Sequence, residues 1–257
     1  MKSFRIVIAA LGGVLILVIV APLAKVIVSS APSLLRSTAC DPEVLHSIFL
    51  TLRAALWATL GCLLLGVPLA YALARWDFPG GSLVQGIVDL PVMIPHTAAG
   101  VALLMVYGRE FWVGKAFALV GITFTGTVAG ISLAMAFVSL PFLVNAARDG
   151  FLAVDPRLEC VARTLGASPW QTFFKVSLLL SWRSILSGAT LMWARGIAEF
   201  GAVVMLTYHP MVAPILIWER FENFGLRYAT PVSAILILLC LVIFSGLRWL
   251  AAQKEDR

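Results

Sequence analysis

Three stretches of this chain place polar or charged residues where their types and spacing could do chemistry. In "WARGIAEFGAVVML", Trp193–Leu206, Arg195 and Glu199 stand four apart inside an apolar run, so a helix puts both on one face. Two uses follow from that pairing. They form an internal ion pair that locks the helix to a neighbour, which is the simpler reading. Alternatively, the arginine attracts an anion and holds it weakly, because the glutamate offsets its charge. In "DLPVMIPHTAAGVALL", Asp89–Leu104, Pro91 and Pro95 each remove a backbone N–H and loosen a helix, and His96, Thr97 and Gly100 follow. That break makes either a packing kink or a half-helix whose free N–H groups and positive dipole end face an anion. His96 by itself reads as a packed or hydrogen-bonded residue rather than a metal ligand, and no cluster of metal ligands accompanies it. In "DPRLECVARTLGASPW", Asp155–Trp170, the chemistry is mechanical: two acids and two arginines in a short, well-punctuated segment.

The elements that must carry these residues are apolar. The chain has 257 residues, 61% hydrophobic and 12% charged, against about 25% charged in a soluble domain. The excess falls into six blocks, each long enough for the roughly 20 residues that cross a bilayer. They are Ile6–Val28, Ile48–Ala74, Leu83–Tyr107, Thr127–Ala147, Ile185–Leu206 and Ala229–Trp249. The runs are continuous rather than alternating, so the expected fold class is all-α: a polytopic membrane protein of about six transmembrane helices, not a barrel. The first block is longer than a signal h-region and reads as a retained span. Ionisable residues such as Asp89, Arg195 and Glu199 then have to face protein or water. Gly126 and Gly130 in the fourth block make a GxxxG pattern that would permit close helix contact.

The net charge of +6 needs no nucleic acid as partner, because the positive-inside rule accounts for it. With a cytoplasmic N-terminus, eleven Lys and Arg fall on inner segments (Lys2, Arg5, Arg248, Lys254 and Arg257 among them) and seven on outer ones, and the C-terminus is also cytoplasmic. Cys40, Cys62, Cys160 and Cys240 lack zinc or redox spacing and read as unpaired. "GREFWVGKAF", Gly108–Phe117, superficially resembles a phosphate loop, but five residues rather than four precede Gly-Lys, and Ala116 replaces Ser or Thr. The chain is therefore expected to be no enzyme. One domain, residues 1–257, is expected, with an elaborate inner loop over about 153–183 and a short surface helix within the outer connection Thr207–Tyr228.

That inner loop reads as a capped amphipathic helix. Asp155 is a good N-cap and Pro156 suits the first helical position. Leu158, Val161, Ala162 and Leu165 form one apolar stripe, Gly166 stops the helix, and Ser168–Pro169 start a second one. An interfacial helix resting on headgroups would share this stripe, whereas caps at both ends fit a rigid docking part.

The segment Glu159–Ile185 resembles the EAA loop of ABC importer permeases, with Glu159, Ala162 and Gly166 in matching places; Cys160 and Leu179 depart from the pattern, the latter standing where the family usually has proline. Asp89–Leu104 and Ala194–Leu226 resemble permeases for tetrahedral oxyanions, closest to the tungstate/molybdate branch typified by archaeal proteins. The resemblance implies a cytoplasmic coupling helix that docks on ABC ATPase subunits through Glu159, Ala162, Arg163, Leu165 and Gly166. It also implies a homodimeric pore in the cell membrane, an extracytoplasmic oxyanion-binding protein, and no cofactor in this chain, with ATP and Mg held by the partner ATPase. Pro91, Pro95, His96, Thr97, Arg195 and Glu199 are the expected translocation-pathway residues. A sulfate/thiosulfate permease is the near alternative. A secondary transporter or channel, and a receptor that moves nothing, are alternatives from other classes.

Overall fold

The computed structural model describes residues 2–252, with side chains from 4 to 246; Lys254 and Arg257 lie outside the described residues, as do the side chains of Lys2 and Arg248. Among the described residues there is no strand. The helices are α1 (Lys2–Ser29), α2 (Pro32–Ala39), α3 (Pro42–Arg75), α4 (Gly81–Met93), α5 (His96–Tyr107), α6 (Trp112–Leu119), α7 (Val128–Leu152), α8 (Pro156–Thr164), α9 (Pro169–Thr172), α10 (Leu178–Ile197), α11 (Gly201–Leu206), α12 (Ala213–Phe224) and α13 (Leu226–Ala252). A π-helical turn, Phe173–Ser177, joins α9 to α10.

By length and composition α1, α3, α7 and α13 can each cross a membrane, and α4 with α5 forms a further pair bent by 115°. These account for five of the apolar blocks. Ile185–Leu206 is divided instead: α10 ends at Ile197 and the six-residue α11 starts at Gly201. The sharp bend between α4 and α5 has a local cause. Pro95 lacks an N–H and biases Ile94 toward an extended backbone, and Ile94 has φ −81°, ψ 146°. Pro91, by contrast, is buried within an unbroken α4.

The chain packs as two compact units. In the unit of Met1–Phe49 and Val212–Arg257, α1, α2 and α12 pack on α13. Arg220 of α12 donates through Nη2 to Asp41 Oδ2 at 2.6 Å and to Glu43 Oε2 at 3.0 Å. That hydrogen bond holds the Asp41 carboxyl below the usual carboxylate range. The expected surface helix of the connection Thr207–Tyr228 is α12.

In the unit Leu50–Met211, α7 is the hub, packed against α10, α4, α11 and α5. Its core includes Val67, Val88, Leu143, Phe151, Ile185 and Met192. Gly188 lets α10 press on α7: a Cβ there would stand 2.7 Å from the Cβ of Ala146. Asp89 accepts from Asn145 Nδ2 (2.7 Å) and Gln85 Nε2 (3.0 Å), tying α4 to α7 and satisfying an ionisable group within an apolar helix. The glycine pair Gly126 and Gly130 does not make a helix–helix face. Gly126 has φ +74° in the turn before α7, where Thr127 caps the helix by accepting from the Gly130 N–H.

Candidate functional site

Two constellations in the unit Leu50–Met211 gather the chemistry-bearing residues. The first is built on α8. Asp155 caps it, accepting from the Arg157 N–H at 2.9 Å, with Pro156 in the first turn. Gly166 closes it at φ +90°, a backbone conformation open mainly to glycine. Ser168 and Gln171 then form a reciprocal capping box that starts α9. With both ends fixed locally, α8 is rigid and presents its apolar stripe outward: Leu158, Val161 and Leu165 are exposed, Leu165 at 84%. Trp170 and Phe174 stack nearby, centroids 6.1 Å apart, and are also exposed. Arg163 and Gly166 share this open side, while Ala162 is half-buried.

Glu159 points the other way. Its side chain is only 13% exposed and accepts from three donors: Arg75 Nε at 2.8 Å, Tyr71 Oη at 3.1 Å and Ser177 Oγ at 2.8 Å. Arg75 also donates to the Val154 carbonyl at 2.9 Å, and the ring of Tyr71 packs edge-on against Phe151 and Phe173. One carboxylate thus latches α8 to the end of α3 and to the π-helical turn. That turn runs into α10 without interruption, because Leu179 leaves the N–H that a proline would remove. Tyr71, Arg75 and Ser177 were not visible as site residues in the sequence. They lie 88, 84 and 18 positions from Glu159. Arg75 at the end of a long apolar block was the one available signal.

The second constellation lies where α5 begins. Here His96, Arg195 and Glu199 come together. Arg195 Nη2 stands 3.1 Å from Glu199 Oε2 and 3.1 and 3.0 Å from the two ring nitrogens of His96, whose Nδ1 is 3.2 Å from the same Oε2. Glu199 is fully buried; its Oε1 accepts the Ala202 N–H at 2.9 Å, tying it to the start of α11. Oε2 has Arg195 and the His96 ring within 3.2 Å, but neither aims a hydrogen at it in hydrogen-bond geometry. This half-satisfied carboxylate sits beside a helix end with spare donors. No side chain caps α5, and its first backbone bond runs from the Ala99 N–H to the Pro95 carbonyl, so the N–H groups of His96, Thr97 and Ala98 have no helical partner. Thr97 is exposed and Pro95 forms the bend, whereas Pro91 is packed away inside α4. Two glycines the pathway reading had not included set the spacing. A Cβ on Gly201 would stand 2.9 Å from the Cβ of His96, and one on Gly100 would stand 2.7 Å from the Cβ of Met205. They let α5 and α11 touch nearly backbone to backbone.

Each constellation is an inward-facing carboxylate held beside an arginine. Among the described residues no group of His, Cys, Asp or Glu is placed to bind a metal ion. The stretch Gly108–Phe117 is a turn leading into α6 rather than a strand–loop–helix phosphate cradle.

A family model described as the binding-protein-dependent transport system inner membrane component matches residues 63–255. The chain is 45% identical over 249 residues to a molybdate/tungstate transport system permease protein of Thermococcus kodakarensis, covering 96% of each. It is 33% identical over 221 residues to a probable sulfate transport system permease protein of Chlorokybus atmophyticus, covering 84% of this chain and 77% of the other. In fold it is similar to a chain of a bacterial ABC transporter involved in the import of the acidic polysaccharide alginate, with a TM-score of 0.76 at 16% identity, covering 98% and 96% of the two chains.

Proposed function

Because this chain belongs to the family of binding-protein-dependent transport system inner membrane components, a group of multi-pass membrane permeases, we propose that it forms the membrane path of an ATP-driven importer for tungstate or molybdate. The higher identity and fuller coverage shared with the molybdate/tungstate permease favour that cargo over sulfate. In this reading two copies form the pore, and an extracytoplasmic oxyanion-binding protein delivers the anion. ATPase subunits holding ATP and Mg dock against Leu165, Arg163 and Gly166 on the open face of α8, and both termini of the chain are cytoplasmic.

The observation that carries the mechanism is the Glu159 latch. A docked partner that pushes α8 cannot slide it over the permease surface, because Arg75, Tyr71 and Ser177 hold its one inward carboxylate. The push passes into α3 and α10. Glu159 is a positioning residue, while Leu158, Val161 and Leu165 supply the apolar contact. At the other end of α10, Arg195 and His96, with the open N–H groups of α5, offer an oxyanion a transient hold. Glu199 keeps that hold weak, as a path that must release its cargo requires.

The experiment is ATP-dependent tungstate uptake into proteoliposomes holding this chain, its ATPase and its binding protein, with sulfate as competitor. Uptake that needs ATP and resists sulfate bears the reading out. Uptake that follows an ion gradient without ATP sinks it in favour of a secondary transporter, and preferential sulfate uptake moves the chain to the sulfate reading.

A further inference from the structure

The unit of Met1–Phe49 and Val212–Arg257 holds a feature that transport leaves unused: a cavity of about 510 Å³ walled by the end of α1, the start of α2 and the start of α13. Lys25 and Arg227 flank it, and among the described residues neither has an ion-pair partner. No acidic residue lines it, although the chain holds 13 of them, so the charge it presents is purely positive. Ser29 and Ser33 add hydroxyls that make no hydrogen bond among the described residues, whereas those of Ser30 and Thr230 are already donated to Val26 and Leu226 carbonyls. The start of α2 contributes more donors. Its N-cap, Ala31, has no side chain to offer, and the first backbone bond is from the Leu35 N–H to the Ala31 carbonyl, leaving the N–H groups of Ser33 and Leu34 open. The remaining walls are apolar: Val26, Leu34, Leu226 and Pro231.

Depth follows from composition. Both α1 and α13 are long and apolar enough to cross a bilayer, and the cavity lies where one ends and the other begins. That is the level of the headgroups, where lysine and arginine also meet lipid phosphate. We infer that this cavity is a binding site for the phosphate group of a membrane lipid, held between Lys25 and Arg227 and the open N–H groups of α2, with the first acyl carbons against Val26, Leu34 and Leu226. A free inorganic oxyanion would use the same donors but leave the apolar walls uncovered, which is why the lipid is the favoured source. Ordinary snorkelling of two basic side chains would need neither the cavity nor the uncapped helix end.

The test uses the full chain purified in detergent and stripped of lipid. Phosphatidylglycerol is titrated in and followed by native mass spectrometry and by the shift in unfolding temperature. The wild type is expected to retain one lipid saturably and to gain thermal stability. The double variant Lys25→Gln plus Arg227→Gln is expected to bind it about thirty-fold more weakly, as two near-surface cations are lost. Its lipid-free unfolding temperature should match the wild type, which separates loss of binding from loss of fold. Lys175→Gln plus Arg183→Gln, elsewhere on the chain, should leave retention unchanged. Equal retention by the Lys25/Arg227 variant overturns the site. So does millimolar inorganic phosphate that displaces the lipid and reproduces the full stabilisation, which would assign the cavity to a soluble oxyanion.

Discussion

Glu159 and Glu199 are both inward-facing carboxylates paired with an arginine, and they are held in opposite ways. Glu159 accepts from Arg75, Tyr71 and Ser177 at 2.8–3.1 Å, so each of its oxygens has a true donor. Glu199 is more deeply buried, yet only Oε1 has one; Oε2 faces Arg195 and His96 at ion-pair distance without hydrogen-bond alignment. A fully satisfied charge network fixes one geometry, whereas an incompletely satisfied one leaves a buried charge at a cost. The lesson is that the same pair of residue types is held by a full set of aligned donors at one place and by a partial set at another.

The sharpest way to break the contrast is Glu159→Ala. It strips the latch and strands Arg75, whose side chain is only 8% exposed. Losing one partner of so buried a pair costs about 3 kcal/mol, so coupled uptake in proteoliposomes should fall by about a hundredfold while the ATPase alone keeps turning over. Uptake at the wild-type rate would refute the proposed coupling through Glu159. Next comes Gly201→Val, which forces a side chain against His96 and Thr97. Overpacking there is expected to cost about 2 kcal/mol in denaturation of the purified protein, and an unchanged unfolding temperature would show that α5 and α11 can part freely.

The proposed anion path is probed by Glu199→Gln. Without the competing negative charge, Arg195 and His96 should hold an oxyanion more tightly. KM and kcat for tungstate are expected to fall together by about fivefold, since the interaction strengthens the bound ground state. A rise in KM instead would make Glu199 a plain structural pair. A smaller effect belongs to Asp155→Ala, which removes the cap that keeps α8 rigid at a cost of about 1 kcal/mol. Helix melting should show as faster amide exchange at Arg157 and Leu158.

A third carboxylate, Asp41, offers the solvent-side control and the smallest effect. Arg220 holds its folded-state pKa below the unfolded value of about 3.9. Its contribution is therefore complete above that value and is lost as pH falls through the lower, folded one. Asp41→Asn should narrow the stability gap between pH 6 and pH 3 slightly, and the Glu159 variants should not alter that increment.

What could be read from sequence divides along the same line. The α8 unit was legible because caps are local: Asp155–Pro156, Gly166 and Ser168–Pro169 each act within a turn of themselves. So were the break at Pro95 and the contact of Arg195 with Glu199, four residues apart. The inward turn of Glu159 was not legible, since its partners on α3 arrive from more than eighty residues away. The division of Ile185–Leu206 into α10 and α11 was hidden by uniform apolarity, and Gly126 looked helical because a pattern of spacing carries no φ angle.

The helix that ends at the latch has one more property. With 34 residues, α3 is about 50 Å long, well beyond the roughly 30 Å of hydrocarbon it has to cross. Tyr71 and Arg75 ride at its far end, like the tip of a rocker arm. Rocking such an arm by about 5° about its middle moves each tip by about 2 Å, given a rise of 1.5 Å per residue. That is the scale of a hydrogen bond made or broken, so a small tilt of α3 is enough to make or break the contacts of Tyr71 and Arg75 with Glu159.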